Sequence, residues 1–143
     1  DCLYGLSKFN SEVIIDYFTD KNINITHLRV AQIFGDGMRQ DRIFTIMKNQ
    51  LINNNLIEIF GNGKRIINYI EINELVMIII KLLKMPFSGT LNLCSNNLKI
   101  IEIANELIKK YGNKDSKVFF KKISNVDNEF ILNTKKSKEL GLI

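Results

Sequence analysis

Apolar side chains recur along the chain with two different periods, and the alternation of those periods marks out its elements. Phe9, Val13, Ile14 and Tyr17 fall at helical spacing and predict a first helix from about Tyr4 to Phe18. After a short turn, NINITHLRVAQIF (22–34) reads as a strand. RIFTIMKNQLINN (42–54) is a second amphipathic helix and LIEIF (56–60) a short strand. GNGK (61–64) is a turn, for which the hairpin form is favoured. RIINYIEI (65–72) alternates poorly and reads as a strand or an extended connection. Glu74–Lys84 is a helix with Pro86 just beyond its end, and GTLNLCS (89–95) is a strand. KIIEIANELIKKYG (99–112) is a clear amphipathic helix stopped by Gly112. KVFFKKI (117–123) is a short strand, and TKKSKELG (134–141) a last helical turn or two with Thr134 as N-cap. Helix and strand signals alternate throughout, so the fold class expected is α/β.

At 143 residues the chain is one domain's worth of polypeptide. Its 45% hydrophobic and 24% charged content is that of an ordinary water-soluble domain. The most apolar stretch, ELVMIIIKLLKM (74–85), is broken by Lys81 and Lys84 and is too short to span a bilayer. It reads as a buried helix, and no membrane partner is expected. No basic segment leads into an apolar run near Asp1, so no signal peptide is read. Cys2 and Cys94 have neither disulfide-framework nor metal-type spacing, and there is one histidine; no metal site is expected, and a reducing cytoplasm fits. The net charge of +5 suits anionic ligands, but the lysines are scattered, with only short clusters such as Lys121-Lys122 and Lys135-Lys136. A nucleic-acid binder would need a contiguous basic face, and no nucleic-acid partner is expected.

One pair carries candidate chemistry. In YGLSK (4–8), Tyr4 and Lys8 are four residues apart and share one helix face. A free phenol, with a pKa of about 10, is a poor base at neutral pH. A neighbouring ammonium favours the phenolate, which then takes a proton from a substrate alcohol as hydride leaves the same carbon. A lysine also holds a cofactor ribose through its three donors. The spacing alone fits two ordinary residues on a wet helix equally well. No Gly-rich phosphate loop accompanies the pair: Gly35-Asp36-Gly37 and Gly61-Asn62-Gly63 each lack a third glycine at dinucleotide spacing.

The wider context extends the motif. YGLSKFNSE (4–12) resembles the catalytic-helix segment of the extended short-chain dehydrogenase/reductases, the sugar-nucleotide epimerase/dehydratase family. That family follows its Tyr-Gly-x-Ser-Lys helix, usually with Glu where Glu12 stands, by a strand ending in Leu-Arg-x-x-Asn-x-Tyr-Gly. The corresponding stretch here is LRVAQIFG, Leu28 to Gly35. A helix, a Gly-x-Gly turn and an acidic helix start come next in the family, as in IEIFGNGKRIINYIEINELVMIIIKLL. GTLNLCSNN and KIIEIANELIKKYG are similar to its next strand and helix, and FILNTKKSKELGLI to its closing Asp-x-Ser-Lys…Leu-Gly motif. The resemblance runs in order through essentially all 143 residues.

The resemblance implies the C-terminal part of a Rossmann-type extended short-chain dehydrogenase, residues 1–143, with its small substrate-binding region. The N-terminal dinucleotide-binding part, which would hold most of an NAD or NADP cofactor, would precede Asp1. Tyr4 would be the acid/base and Lys8 its electrostatic and ribose-binding partner, with Val30 near the nicotinamide. Gln32, Arg65 and Asn68 would lie on the side of a nucleotide-diphospho-sugar substrate. A homodimer of the full-length protein, built on the first helix, is implied as well.

Several residues depart from the family pattern or admit two readings. Gln32 stands where the family usually has Asn, and Ile67 where it commonly has an Arg that grips the diphosphate. An isoleucine cannot pair with a phosphate; Arg65, two residues earlier, substitutes only if the strand register differs, and otherwise is a solvated turn residue. Glu74 occupies a usual Asp position and reads as a helix-start carboxylate facing the dipole. Arg39 and Arg42 read as surface charges, with an anion-attracting role as the alternative. Arg29 is given a structural or near-site role without chemistry. His27 reads as a satisfied strand histidine. The resemblance implies that Asn92 and Cys94 belong to the strand that lines the substrate side, and Cys94 reads as an inert buried thiol. Two functional readings follow. One is half of an NAD(P)-dependent sugar-nucleotide epimerase, dehydratase or reductase. The other is a non-catalytic binding or assembly protein that retains the scaffold, which the Ile67 departure favours.

Overall fold

The computed structural model describes residues 2–122 and 129–143. Helix α1 covers Cys2–Phe18, followed by strands β1 (Thr26–Val30) and β2 (Gln32–Phe34), α2 (Ile43–Asn54), β3 (Leu56–Phe60) and β4 (Ile66–Glu71). Helix α3 (Ile72–Leu82), β5 (Gly89–Leu93), β6 (Asn96–Lys99), α4 (Ile100–Tyr111), β7 (Lys117–Lys121) and α5 (Lys135–Glu139) complete the order. The expected end of the seventh strand at Ile123 lies outside the described residues.

The single strand expected over 22–34 is two strands in two sheets. β1 pairs in parallel with β5, with Leu28 opposite Leu91. Ala31 donates its N–H to the Leu93 carbonyl at 2.8 Å. From Gln32 onward the chain changes partner and runs parallel to β4, with Gln32 opposite Tyr69. Both halves are extended, so the sequence pattern does not show the change. β4 also pairs with β6, antiparallel, while β3 pairs in parallel with β7. Strand β6 was not expected from the sequence. GNGK therefore joins two different sheets and is not a hairpin turn, because β3 and β4 do not pair with each other.

Two apolar clusters hold these pieces. One gathers Met47 and Leu51 of α2, Ile57 and Ile59 of β3, Ile67, and Ile100, Ile103, Ala104 and Leu107 of α4. The other gathers Ile70 of β4, Leu75 and Ile78 of α3, Leu91 and Leu93 of β5, and Leu142. Ile67 and Ile70 are an odd number of residues apart on β4, so they face opposite sides of the strand and serve one cluster each. This two-sided burial is why RIINYIEI alternates poorly.

Local chemistry explains the helix ends. Glu71 caps α3, its carboxylate accepting from the Asn73 and Glu74 N–H groups at 2.8 and 3.1 Å. Glu74 lies in the first turn, as the dipole reading requires, and accepts a bond from the Ser95 hydroxyl. Thr134 occupies the N-cap position of α5 but makes no side-chain cap; the Asn133 side chain takes the Lys135 N–H instead, at 3.0 Å. Gly112 does end α4, but not through a left-handed backbone, since its φ is −88°. A Cβ there would meet the Ile108 carbonyl oxygen at 2.6 Å, so closeness requires the glycine.

The helix expected to be buried at 74–85 is covered on one side only. Leu75 and Ile78 of α3 are buried, while Met77 is 57% and Leu83 82% exposed.

Candidate functional site

The change of strand partner at Ala31 opens the site. In α/β sheets, ligands lie beyond the C-terminal ends of the strands, where the strand order switches. A cleft of about 650 Å³ lies at that point, lined by Tyr4 of α1, Val30 of β1, Gln32 of β2, and Asp36, Arg39 and Arg42 of the following loop. Gly35 is part of the wall. Its φ is +147°, and a Cβ would press to 2.4 Å from the Ile72 side chain, so glycine keeps this wall thin.

Tyr4 is 71% exposed at the mouth of the cleft. Lys8 sits one turn further along α1, its Nζ 5.5 Å from the centroid of the Tyr4 ring. The structure thus brings Tyr4, Val30 and Gln32 into one cleft, with Lys8 beside the phenol.

Arg65 and Asn68 are not among the residues lining this cleft. Arg65 is exposed just before β4, and its carbonyl accepts the Ile100 N–H at 3.0 Å. Ile67 is buried, 8% exposed, in the cluster between α2 and α4. Asn68 is occupied by the chain itself: its Nδ2 donates to the Phe130 carbonyl at 2.7 Å, and its Oδ1 accepts the Leu132 N–H at 2.9 Å. Asn92 of β5 makes a similar tie, donating to the Asn133 carbonyl at 2.9 Å.

Arg39 and Arg42, read from sequence as surface charges, both line the cleft. Arg39 is clasped by Asp41 through two bonds of 3.0 and 2.6 Å, while Arg42 stands 3.9 Å from the same carboxylate. Charge next to a glycine turn was the only sequence signal for them.

A pair with no assigned chemistry is well formed. Arg29 of β1 grips Glu12 of α1 through Nε to Oε1 at 2.9 Å and Nη2 to Oε2 at 2.7 Å. The bond from Arg29 holds the Glu12 carboxyl below its ordinary range, and the carboxylate raises the Arg29 guanidinium in turn. His27, with 10% of its side chain exposed, meets Asp16 at 2.7 Å, which satisfies the histidine as expected.

Cys94 is buried, 3% exposed, with its thiol directed at the Asn96 carbonyl at 3.2 Å. Burial pushes its pKa up, which suits an inert thiol. Among the described residues no cluster of metal-ligating side chains occurs, and no helix is long and apolar enough to cross a membrane.

These features coincide with a known family. The model of the NAD dependent epimerase/dehydratase family matches residues 2–94, and the chain belongs to that family. Its fold is that of solved sugar-nucleotide enzymes. UDP-N-acetylglucosamine 4-epimerase from Bacillus cereus is 26% identical and superposes with a TM-score of 0.79 over 96% of this chain and 46% of its own. UDP-glucose 4-epimerase from Thermotoga maritima, solved with UDP-glucose, is 20% identical with a TM-score of 0.77, over 95% of this chain and 46% of its own. dTDP-glucose 4,6-dehydratase from Bacillus anthracis, solved with NAD, is 14% identical with a TM-score of 0.71, over 90% and 42%. The architecture is accordingly α/β of Rossmann type. The chain spans less than half the length of each of these structures. No curated protein matches it in sequence.

Proposed function

We propose that the chain is the C-terminal, substrate-side half of an NAD(P)-dependent sugar-nucleotide epimerase, dehydratase or reductase. The observation that carries this reading is Tyr4 meeting Val30 and Gln32 in one cleft at the change of strand partner. Tyr4 removes a proton from a sugar hydroxyl, or returns one, and Lys8, its Nζ 5.5 Å from the centroid of the Tyr4 ring, supplies positive charge near the phenol. Gln32, Arg39 and Arg42 face the same space and suit a nucleotide-diphospho-sugar, whose diphosphate is the anionic part.

The residues present fit one end of a nicotinamide dinucleotide. Tyr4, Lys8 and Val30 would hold the nicotinamide and its ribose, and NAD or NADP, when bound, supplies the hydride acceptor. The phosphate-binding glycine loop would come from another part of the polypeptide, as would cover for the exposed side of α3. β1 is hydrogen-bonded only to β5 among the described strands, so its other edge is available to extend the parallel sheet. The apolar stripe of α1 would pair with its own copy in a homodimer.

A second reading keeps the scaffold without the chemistry. It is favoured by Ile67 facing the core and by Asn68 being occupied by residues 130–132. Calorimetric titration with NAD(H) tests the domain assignment. The 143 residues alone should bind it weakly or not at all, and the full-length protein tightly. Tight binding by the 143 residues alone contradicts the division proposed here.

A further inference from the structure

Among the described residues, helix α1 meets the rest of the fold through charged pairs and buries no apolar side chain. Its large apolar residues are all well exposed, from Ile15 at 46% to Leu3 at 81%. From Leu3 to Phe18, the one residue that is not exposed is Glu12, a carboxylate. Amphipathic helices ordinarily dock the other way round.

Tyr4, Lys8, Glu12 and Asp16 recur every four residues and form one ridge along the helix. The far end of that ridge is bonded to β1 at two points, Glu12 to Arg29 and Asp16 to His27. Four residues of helix rise about 6 Å, and two residues of strand about 6.6 Å. The two spacings match, so paired anchors fix both the height and the tilt of the helix. The near end of the ridge carries Tyr4 into the cleft beside Val30, on the same strand as the anchors.

We propose that Glu12 and Arg29 are positioning residues that set Tyr4 in register with the cleft, with Asp16–His27 as the second anchor. This rests on the reading of Tyr4 as the proton-transfer group. Tyr4 stands about 12 Å along the axis from Glu12. A tilt of about 5° at the anchor moves Tyr4 by about 1 Å on that geometry. A displacement of about 1 Å costs on the order of 100-fold in rate.

The test uses Glu12→Gln, Arg29→Gln and the double variant of the full-length protein. Each single variant should lower kcat by about 10- to 100-fold. The KM for the sugar nucleotide should move less than about threefold, as expected for a defect in positioning rather than binding. The double variant should fall no further, because one interaction is removed either way. Amide exchange of α1 should accelerate in all three, with α2 and α4 unchanged. Unaltered α1 exchange, a kcat within about threefold of wild type in both single variants, or losses that multiply in the double variant would each overturn the proposal. Tyr4→Phe separates the two readings. If it turns over normally while Glu12→Gln frees the α1 amides, the role of Tyr4 fails and the anchoring of the helix stands.

Discussion

Asn68 and Leu132 lie 64 residues apart in sequence, yet the Asn68 side-chain oxygen accepts the Leu132 N–H at 2.9 Å. The same amide donates to the Phe130 carbonyl at 2.7 Å, so a single β4 side chain holds the segment that leads into α5. A primary amide matches the donor and acceptor pattern of a backbone, and both of its functions are used.

Replacing Asn68 by alanine should therefore loosen the chain near 130–132. The partner N–H and C=O lose their bonds, at a cost of about 1–2 kcal/mol once water partly replaces them. The check is amide exchange: Leu132 should exchange faster in Asn68→Ala while the Ile103 and Leu107 amides of α4 do not. Unchanged Leu132 exchange would show that the tie contributes nothing.

Acid should release α1 before it unfolds the core. The Glu12 carboxyl is held below its ordinary range chiefly by the bond from Arg29. A lowered folded-state value means the stabilisation is full above the ordinary carboxylate range and is lost as pH falls through the lowered value. Exchange of α1 amides, corrected for intrinsic rates, should be constant from neutral pH down to about 4.5 and rise below it. Glu12→Gln should be fast throughout and lack that rise. A pH-independent wild type would contradict the pairing. Because the pair is partly solvated, high salt should weaken it as well.

The stripe of Phe9, Val13 and Tyr17, exposed at 54%, 48% and 80%, is the surface proposed to pair two copies of the full-length protein. Closed two-fold pairing is the common way to cover such a face. Val13→Glu should shift the full-length protein from dimer to monomer in sedimentation at micromolar concentration. A wild type that is already monomeric, or a glutamate variant that remains dimeric, would place the interface elsewhere.

Much of this arrangement can be read in the residues, and what cannot has identifiable causes. Helix α4 shows a clean helical period, with Ile100, Ile103, Ala104 and Leu107 buried on one face, while α1 and α2 carry apolar residues at helical spacing with a weaker contrast between faces. β4 does not alternate, since Ile67 and Ile70 serve cores on opposite sides. The polar NNLK of β6 becomes a strand only by pairing with β4. The break at Ala31 is a change of partner between two extended segments, which leaves no trace in periodicity. At the site, Tyr4, Lys8, Val30 and Gln32 were named from the family resemblance; the structure places Tyr4, Val30 and Gln32 on one cleft and Lys8 one turn from Tyr4. The cleft positions of Arg39 and Arg42 depend on how the loop after Gly35 folds back. The grip of Arg29 on Glu12 depends on a helix face meeting a strand face 17 residues away. Neither is a property of a local window.

Turnover of a sugar nucleotide by full-length wild type and Tyr4→Phe, measured side by side, tests the central claim most directly. On the proposed assignment the phenol oxygen handles the proton and the ring only lines the cleft, so the variant should lose about 10²- to 10⁴-fold in kcat. Its affinity for the nucleotide should be nearly unchanged. Lys8→Met should weaken cofactor binding and lower kcat. Near-normal turnover by Tyr4→Phe, or a full-length wild type that turns over no sugar nucleotide, would contradict the assignment of this cleft as an active site.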